Sequence, residues 1–187
     1  VAPASGLWVS LAASNPPAGS LISGTTSAAR VQVLSVTLTA GQSGGVTVTG
    51  LKFKKTGVLS DSSISSAYLI DAMGKVIGQY SSLSSGVIDF PGLSLGVNAG
   101  QSMTVSLAID PATGLSAGNT VGFALESASA VSAMDSQSNS LTPQGTFPMN
   151  GNIFTVTTVS NPSIASVAVT SSSIATTVTA GTQNNLI

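Results

Sequence analysis

Apolar and polar residues alternate along most of this chain with a period of two. In 102–110 every second residue from Met103 to Ile109 is apolar, and 119–126 repeats the pattern around Phe123. Such alternation is typical of strands that bury one face, and no segment keeps the period of a long helix. The pattern therefore predicts an all-β protein. The inward residues expected in its core are Val36, Leu38, Leu51, Phe53, Leu69, Val105, Leu107, Ile109, Val121, Phe123 and Leu125.

The predicted strands are short and are separated by turn residues. Glycine-rich 40–45 separates two long strands, 72–74 closes a hairpin, and 110–114 forms a turn. Segment 127–134 is expected to form a turn at most, and polar 132–145 is typical of a surface excursion. Together these signals favour two packed antiparallel sheets. The expected strands are 7–13, 30–40, 46–55, 67–71, 75–80, 86–90, 102–110, 119–126, 152–159, 164–170 and 174–179.

One predicted strand changes phase in its middle. Val46 and Val48 share one face, whereas Leu51 and Phe53 lie on the opposite parity, with Gly50 between the two pairs. A β-bulge at the glycine would return both pairs to the core, so we expect one there.

The chain carries very few charges. Its five cationic and six anionic residues are 6% of the sequence, against about 25% in an average protein. The net charge of −1 provides no basic surface for a nucleic acid or an anionic membrane. With 33 serines, 20 threonines and a hydrophobic fraction of 42%, the chain is expected to fold and to present hydroxyl groups to water.

Several features favour an extracellular location. The first segment is typical of a mature end left after signal removal, and no apolar run is long enough to span a membrane. The absence of cysteine means that the chain needs no oxidising compartment, but it does not exclude one. So few charges are also unusual in a cytosolic protein. We therefore expect a secreted or cell-surface protein.

The residues needed for most catalytic chemistry are missing. Without histidine or cysteine the chain has no Ser-His-Asp or Cys-His triad and none of the usual zinc ligand sets. A glycosidase-like carboxylate pair or a calcium site remains as an alternative, but the six carboxylates are scattered. We therefore expect no catalytic residue, no cofactor and no metal, and Asp71 and Asp110 are expected to cap turns.

Three lysines lie close together at 52–55. A buried lysine beside a carboxylate could form an isopeptide bond with a side chain. The favoured interpretation is that Lys52, Lys54 and Lys55 are solvated and protect a strand edge from aggregation.

Trp8 is the single tryptophan and lies in the first predicted strand. We favour a core or interface anchor over a sugar-binding platform. A binding loop in 132–145 is the corresponding alternative for that polar segment.

The two ends of the chain resemble each other. LWVSL at 7–11 and LISGT at 21–25 are matched by ASVAV at 165–169 and VTAGT at 178–182. Chance similarity, the start of a following repeat, and a strand that completes the sheet of another copy are all consistent with this match.

We accordingly divide the chain into a β-sandwich domain at 1–159 and an extended strand tail at 160–187. Either this tail or the N-terminal strand, with Trp8 as its anchor, is expected to pair with another copy. The tail residues predicted to form the inter-subunit strand are Ile164, Val167, Val169, Ile174 and Val178.

About half of the chain resembles an immunoglobulin-like repeat of bacterial and archaeal secreted surface proteins. The similar segments are VLSVTLTA at 33–40, VTVTGLKF at 46–53, ISSAYLID at 64–71, LSLGVNAG at 93–100 and MTVSLAID at 103–110. The resemblance implies a β-sandwich in a cell-wall, surface-layer or filament protein, and it carries over no catalytic residue.

Together, these features predict a structural subunit of an extracellular filament, pilus or surface layer that polymerises by strand exchange. The alternative is an adhesion or glycan-binding module of a larger surface protein. Expected partners are copies of the chain itself and, in the alternative, cell-surface glycans.

Overall fold

The computed structural model describes residues 4–23, 29–80, 83 and 85–158. Two short 3₁₀ turns, Asp61–Ser63 and Ala128–Ala130, interrupt a structure that is otherwise made of strands and loops. The strands are β1 (Leu7–Leu11), β2 (Gly19–Ser23), β3 (Val31–Ala40), β4 (Val46–Thr56), β5 (Ile64–Asp71), β6 (Val76–Tyr80), β7 (Val87–Val97), β8 (Ser102–Pro111), β9 (Thr120–Leu125), β10 (Val131–Asp135), β11 (Ser140–Leu141), β12 (Met149–Asn150) and β13 (Phe154–Thr158).

These strands form two sheets whose inward side chains meet in one hydrophobic core. The first sheet has the order β1-β3-β8-β5-β6. The second has the order β11-β10-β4-β9-β13-β2, with β7 also paired to β4 and β12 to β9. The prediction of an all-β protein is confirmed.

The second sheet is mixed, so the expectation of purely antiparallel pairing was wrong. Strand β2 runs parallel to β13, with Leu21 beside Val156. The cause is the path of the first segment, in which β1 lies at the edge of the first sheet and β2, running in the same direction, lies at the edge of the second. At the edge of the second sheet β2 pairs with β13, the last described strand, and β13 runs in the same direction as β2.

All eleven predicted core residues are at most 1% exposed, so this prediction is confirmed. The core also contains an aromatic contact between the two strands β4 and β7, in which the rings of Phe53 and Phe90 are 6.1 Å apart and 77° inclined. This edge-to-face geometry is a favourable one for aromatic pairs.

Strand β4 contains the predicted bulge. Adjacent Ser132 and Ala133 of β10 pair with Gly50 and Val48, so β4 has one extra residue, Thr49, at this point. Val46 and Val48 before the extra residue, and Leu51 and Phe53 after it, are all buried. The bulge therefore keeps both halves of the strand facing the core.

The segment expected to be an irregular excursion is partly regular. Strands β9 and β10 both pair antiparallel with β4, and the 3₁₀ turn Ala128–Ala130 lies between them. Strand β10 then pairs with β11. The alternation was missed because Ala133, which is 4% exposed, is a small residue that contributes little to a hydrophobic pattern.

Hydroxyl groups on the outer face of the first sheet bond to one another across β3 and β8. The oxygen–oxygen distances are 2.7 Å for Ser35–Ser106, 3.3 Å for Thr37–Thr104 and 2.8 Å for Thr39–Ser102. We call these three pairs the hydroxyl ladder. It satisfies polar groups without charges, and its first pair is buried, with Ser35 at 1% and Ser106 at 7% exposure.

We expect Ser106→Ala alone to lower the free energy of unfolding by about 1–2 kcal/mol, because the buried Ser35 hydroxyl loses this partner. In the double variant Ser35→Ala/Ser106→Ala neither buried hydroxyl remains without a partner. Its loss of unfolding free energy should therefore be smaller than the sum of the losses in the two single variants. Urea unfolding of the four proteins tests this. Strictly additive losses would contradict it.

The described domain begins and ends at opposite ends of the sheets. At the amino end, Gly41 N–H donates to Gly6 O at 2.8 Å and Ser43 N–H to Ala4 O at 3.1 Å. At the carboxyl end, Gly118 N–H donates to Val156 O at 2.9 Å, two residues before β13 finishes. Strand β4 runs from the first end to the second, which places them roughly 33 Å apart at about 3.3 Å per residue.

Candidate interaction surface

Strand β1 forms one edge of the first sheet. It pairs with β3 over five residues, from Leu7 beside Ala40 to Leu11 beside Val36. On its other side, Val9 N–H donates to Gln144 O at 2.7 Å, and Gln144 N–H donates to Leu7 O at 2.8 Å. Past Gln144, the main chain of Leu11 has no backbone partner on this side within the described residues. The main-chain groups of Leu7 and Val9 at this edge are therefore paired, whereas the main chain of Leu11 remains available to a further strand.

Trp8 lies on the outward face of β1 and is 40% exposed, so a role in the core is wrong and the interface role stays a prediction. A groove of about 300 Å³ opens beside it, between β1 and the segment 146–149. Its walls include Leu11, which is 42% exposed, together with Pro148 and Met149. Among the residues that the structure describes, no charged side chain lines this groove.

Strand β2 forms the corresponding edge of the second sheet. Leu21 and Ser23 point inward and are fully buried, and Ser23 Oγ accepts a hydrogen bond of 3.0 Å from Leu115 N–H. Ile22 points outward and is 46% exposed. The first 23 residues thus supply an edge strand to each sheet, with apolar side chains on the outside of both.

The five tail residues predicted to form an inter-subunit strand lie outside the described residues, as does the whole of the proposed tail at 160–187. Of the predicted interface residues, the structure places Trp8 alone. Sequence reasoning missed the groove beside it, because nothing in the spacing of 8 and 146–149 indicates that the two segments meet.

The charged residues lie in small groups. Lys52 pairs with Asp89 at 3.2 Å, and Lys55 pairs with Asp61 at 3.4 Å. Glu126 lines the same small depression as Lys52 and Lys54, which completes a group of three cations and three anions. Charges of opposite sign offset each other there, so this surface presents no single-sign field to a partner.

Lys55 is not the solvated lysine that we expected. Its side chain is 10% exposed, and its Nζ donates to Leu59 O as well as pairing with Asp61. The other oxygen of Asp61 accepts a hydrogen bond of 2.7 Å from Gly86 N–H. This arrangement ties the end of β4 to two loops and accounts for the burial of the lysine. The sequence did not reveal the pair because Asp61 begins the 3₁₀ turn Asp61–Ser63, which lies outside the strand pattern.

The two aspartates expected to cap turns differ in their roles. Asp71 does cap its turn, since its Oδ1 accepts hydrogen bonds of 2.9 Å from Met73 N–H and Lys75 N–H. Asp110 instead accepts from Tyr68 Oη at 2.9 Å and from Arg30 N–H, so that prediction was wrong. Asp110 joins neighbouring segments of the first sheet.

Asp135 caps the turn between β10 and β11. Hydrogen bonds from the Asn139 side chain and backbone, and from Gln137 N–H, lower the pKa of Asp135 below its ordinary value of 3.8. These bonds favour the ionised form, so the stability they contribute is present above the unfolded-state pKa and is lost as the pH falls through the lower folded-state value.

Folding stability should therefore change little between about pH 5 and pH 9, because the chain has no histidine and the shift at Asp135 acts only in more acidic solution. It should also respond weakly to salt, since so few charges are available for screening. Melting temperatures measured across this pH range and between about 0.05 and 1 M NaCl should agree within about 5 °C. A shift of tens of degrees would contradict this.

Within the described ranges, no three acidic, histidine or cysteine residues lie close enough together to hold a metal ion. A separate check of the same residues found no helix with the length and apolar character needed to cross a membrane.

Comparisons with known proteins give no indication of function. A scan against protein-family models produced no match for this chain. A search of curated proteins produced no similar sequence.

Proposed function

We propose that this chain is a structural, non-catalytic subunit of an extracellular assembly, either a filament, a pilus or a surface layer, built from copies of itself. The observation that carries the proposal is the position of the domain ends. The chain is fastened at the amino end by Gly6 and finishes β13 at the carboxyl end, roughly 33 Å away. Because its two ends lie on opposite sides, such a domain can join the next copy head to tail in a straight line. Repeated head-to-tail contacts propagate into a polymer.

We further propose that the arrangement of the strands is immunoglobulin-like, which is consistent with a structural role. The first described segment contributes β1 to one sheet and β2 to the other. Strand β2 runs parallel to β13, the last described strand. Strands β3, β8 and β5 face β4, β9 and β13, much as the two sheets of an immunoglobulin domain do. The chain departs from that pattern because β5, which pairs in the first sheet, precedes β7, which pairs in the second.

The surface chemistry supports an extracellular, non-enzymatic role. The exposed Thr39–Ser102 pair of the hydroxyl ladder and the offset charge groups belong to an exterior that is polar without a dominant charge. The carboxylates whose contacts the structure gives take part in local structure: Asp61 and Asp89 in ion pairs, Asp71 and Asp135 in turn caps, and Asp110 between strands. These contacts favour a role in holding the fold.

Electron microscopy and light scattering of the purified full chain test this proposal. We expect ordered polymers that grow with protein concentration and persist in high salt, because the joining surfaces are uncharged. A chain that stays monomeric at every concentration and shows no ordered polymer would overturn the proposal.

The exposure of Trp8 favours a second candidate, an adhesion module that binds glycans. An exposed indole beside an uncharged groove is suited to stacking against a sugar ring. Binding to an array of cell-surface glycans that is lost in Trp8→Ala but kept in Met73→Ala, whose side chain is exposed elsewhere, would support this function. Equal binding by both variants would count against it.

A further inference from the structure

We infer that the acceptor site for assembly is the place occupied by β1 and β2, and that the segment 165–182 of a second copy replaces these two strands. This inference rests on the proposed function and adds to it the identity of the strands that exchange. The observations behind it are the position of β1 and β2 in the sheets, the match in side-chain pattern, and the reach of the chain.

Strands β1 and β2 can leave without separating any two other strands, although the two backbone hydrogen bonds between β1 and Gln144 would also break. Each is the last strand of its sheet, β1 beside β3 and β2 beside β13. Both also belong to one continuous segment at the start of the domain. Their removal would open two grooves, one at the edge of each sheet, with exposed core side chains and free main-chain ladder groups.

The side-chain pattern of the tail matches each of the two strands that it would replace, with one residue fewer in the connection between them. The inward residues of β1 and β2 include Leu7, Val9 and Leu21, each at most 1% exposed. Ala165, Val167 and Val178 stand at the corresponding positions in the tail. Outward Trp8 and Ser10 correspond to Ser166 and Ala168. The alternation is the same, so the incoming strand would bury apolar residues and expose small ones.

The tail is also free of charge, since 159–187 contains no Asp, Glu, Lys or Arg. Burial of this segment in a second copy therefore desolvates no ion. Ala165 is smaller than the Leu7 that it replaces, so the resident strand fills its groove better. Exchange is therefore expected to require high protein concentration.

The reach of the chain makes the exchange intermolecular. Strand β13 ends at Thr158 at the carboxyl end, whereas the place of Leu7 is at the amino end, roughly 33 Å away. Seven steps separate residues 158 and 165, and a fully extended chain covers at most about 25 Å in that number. The tail thus falls short of its own β1 site. A second copy stacked with its amino end on this carboxyl end lies within reach.

Engineered disulfides test the register directly, because the chain has no cysteine of its own. Ser10 and Thr37 are partners in the β1–β3 ladder, and both are partly exposed. Partners in such a ladder have the Cα separation that a disulfide needs. We therefore compare Thr37→Cys/Ala168→Cys, which links tail to acceptor, with Ser10→Cys/Thr37→Cys, which locks the resident strand.

After mild oxidation at high protein concentration, Thr37→Cys/Ala168→Cys should give a ladder of covalent multimers on a non-reducing gel. The locked variant should give a monomer with an internal disulfide, form no polymers, and recover assembly on reduction. The single variants Thr37→Cys and Ala168→Cys control for random dimers. A second pair, Thr39→Cys/Ser166→Cys, tests the same register if the first pair folds poorly by circular dichroism.

Several results would overturn the inference. Wild-type polymers without a 37–168 or 39–166 link would show that assembly uses another surface, or that the tail begins a following repeat, while leaving the proposed function intact. A monomeric 37–168 disulfide would place the tail in its own domain. Normal polymerisation of the oxidised locked variant would show that β1 does not leave. Wild-type protein that never assembles would remove the proposed function and the exchange with it.

Discussion

Replacing Phe53 by alanine is expected to lower the free energy of unfolding by about 3–5 kcal/mol. Phe53 is 1% exposed and packs edge to face against Phe90, so its removal loses both apolar burial and an aromatic contact. It also follows the bulge in β4, a strand that is held by β7 and β10 and cannot readily collapse into the vacated space. Urea or thermal unfolding measures the loss.

Met73→Ala is the matched control for this prediction. The Met73 side chain is 90% exposed on the turn between β5 and β6, so its truncation should change stability by less than about 0.5 kcal/mol. A Phe53→Ala protein within 1 kcal/mol of wild type would mean that the two sheets do not meet at this point as described.

Replacing Gly57 by alanine is expected to cost about 3–4 kcal/mol, the second largest effect. Gly57 has φ +86°, a conformation that costs an L-residue about 1–2 kcal/mol. An added Cβ would also overlap the carbonyl of Thr120, which accepts a hydrogen bond from Leu59 N–H. That neighbour is backbone, so it cannot rotate away as a side chain would.

Gly118→Ala separates the two contributions. Gly118 has φ +85°, almost the same as Gly57, but an added Cβ there meets no atom of the described residues within 4 Å. It should therefore show only the conformational cost of about 1–2 kcal/mol. Equal destabilisation by the two variants would contradict the close approach between Gly57 and Thr120. Both proteins are compared with wild type by urea unfolding.

The features of the fold that could be predicted from the sequence are those fixed by local alternation. The inward residues of β8 and β9 were identified because large apolar side chains mark every second position. Gly50 revealed its bulge because the phase changes on either side of it. Strand β10 escaped detection because its inward positions include small Ala133, and the parallel pairing of β2 depends on a path between sheets that local pattern does not encode.

The candidate surface was predictable only in part. The place of Trp8 in the first strand was predicted from the sequence, but its groove requires Pro148, which is far away in sequence. Lys55 shows the same difficulty, since its burial depends on Asp61 and Leu59, which lie outside the strands. Long-range contacts made by turns and loops produce no periodic pattern in the sequence, so they can be identified only from the three-dimensional structure.

The opposite placement of the domain ends also decides how this protein would bear a mechanical load. A pull on the two ends draws β2 toward the amino end and β13 toward the carboxyl end, and these neighbours are paired in parallel over five residues. The force then acts along the strands and across all the ladder hydrogen bonds at once, as a shear. Bonds loaded together must break together, whereas a hairpin pulled from its open end unzips one pair at a time. The domain with its own β2 in place would therefore resist stretching at the parallel ladder between β2 and β13. In the exchanged polymer inferred above, the tail of the second copy takes the place of β2, and the same shear acts between that tail and β13.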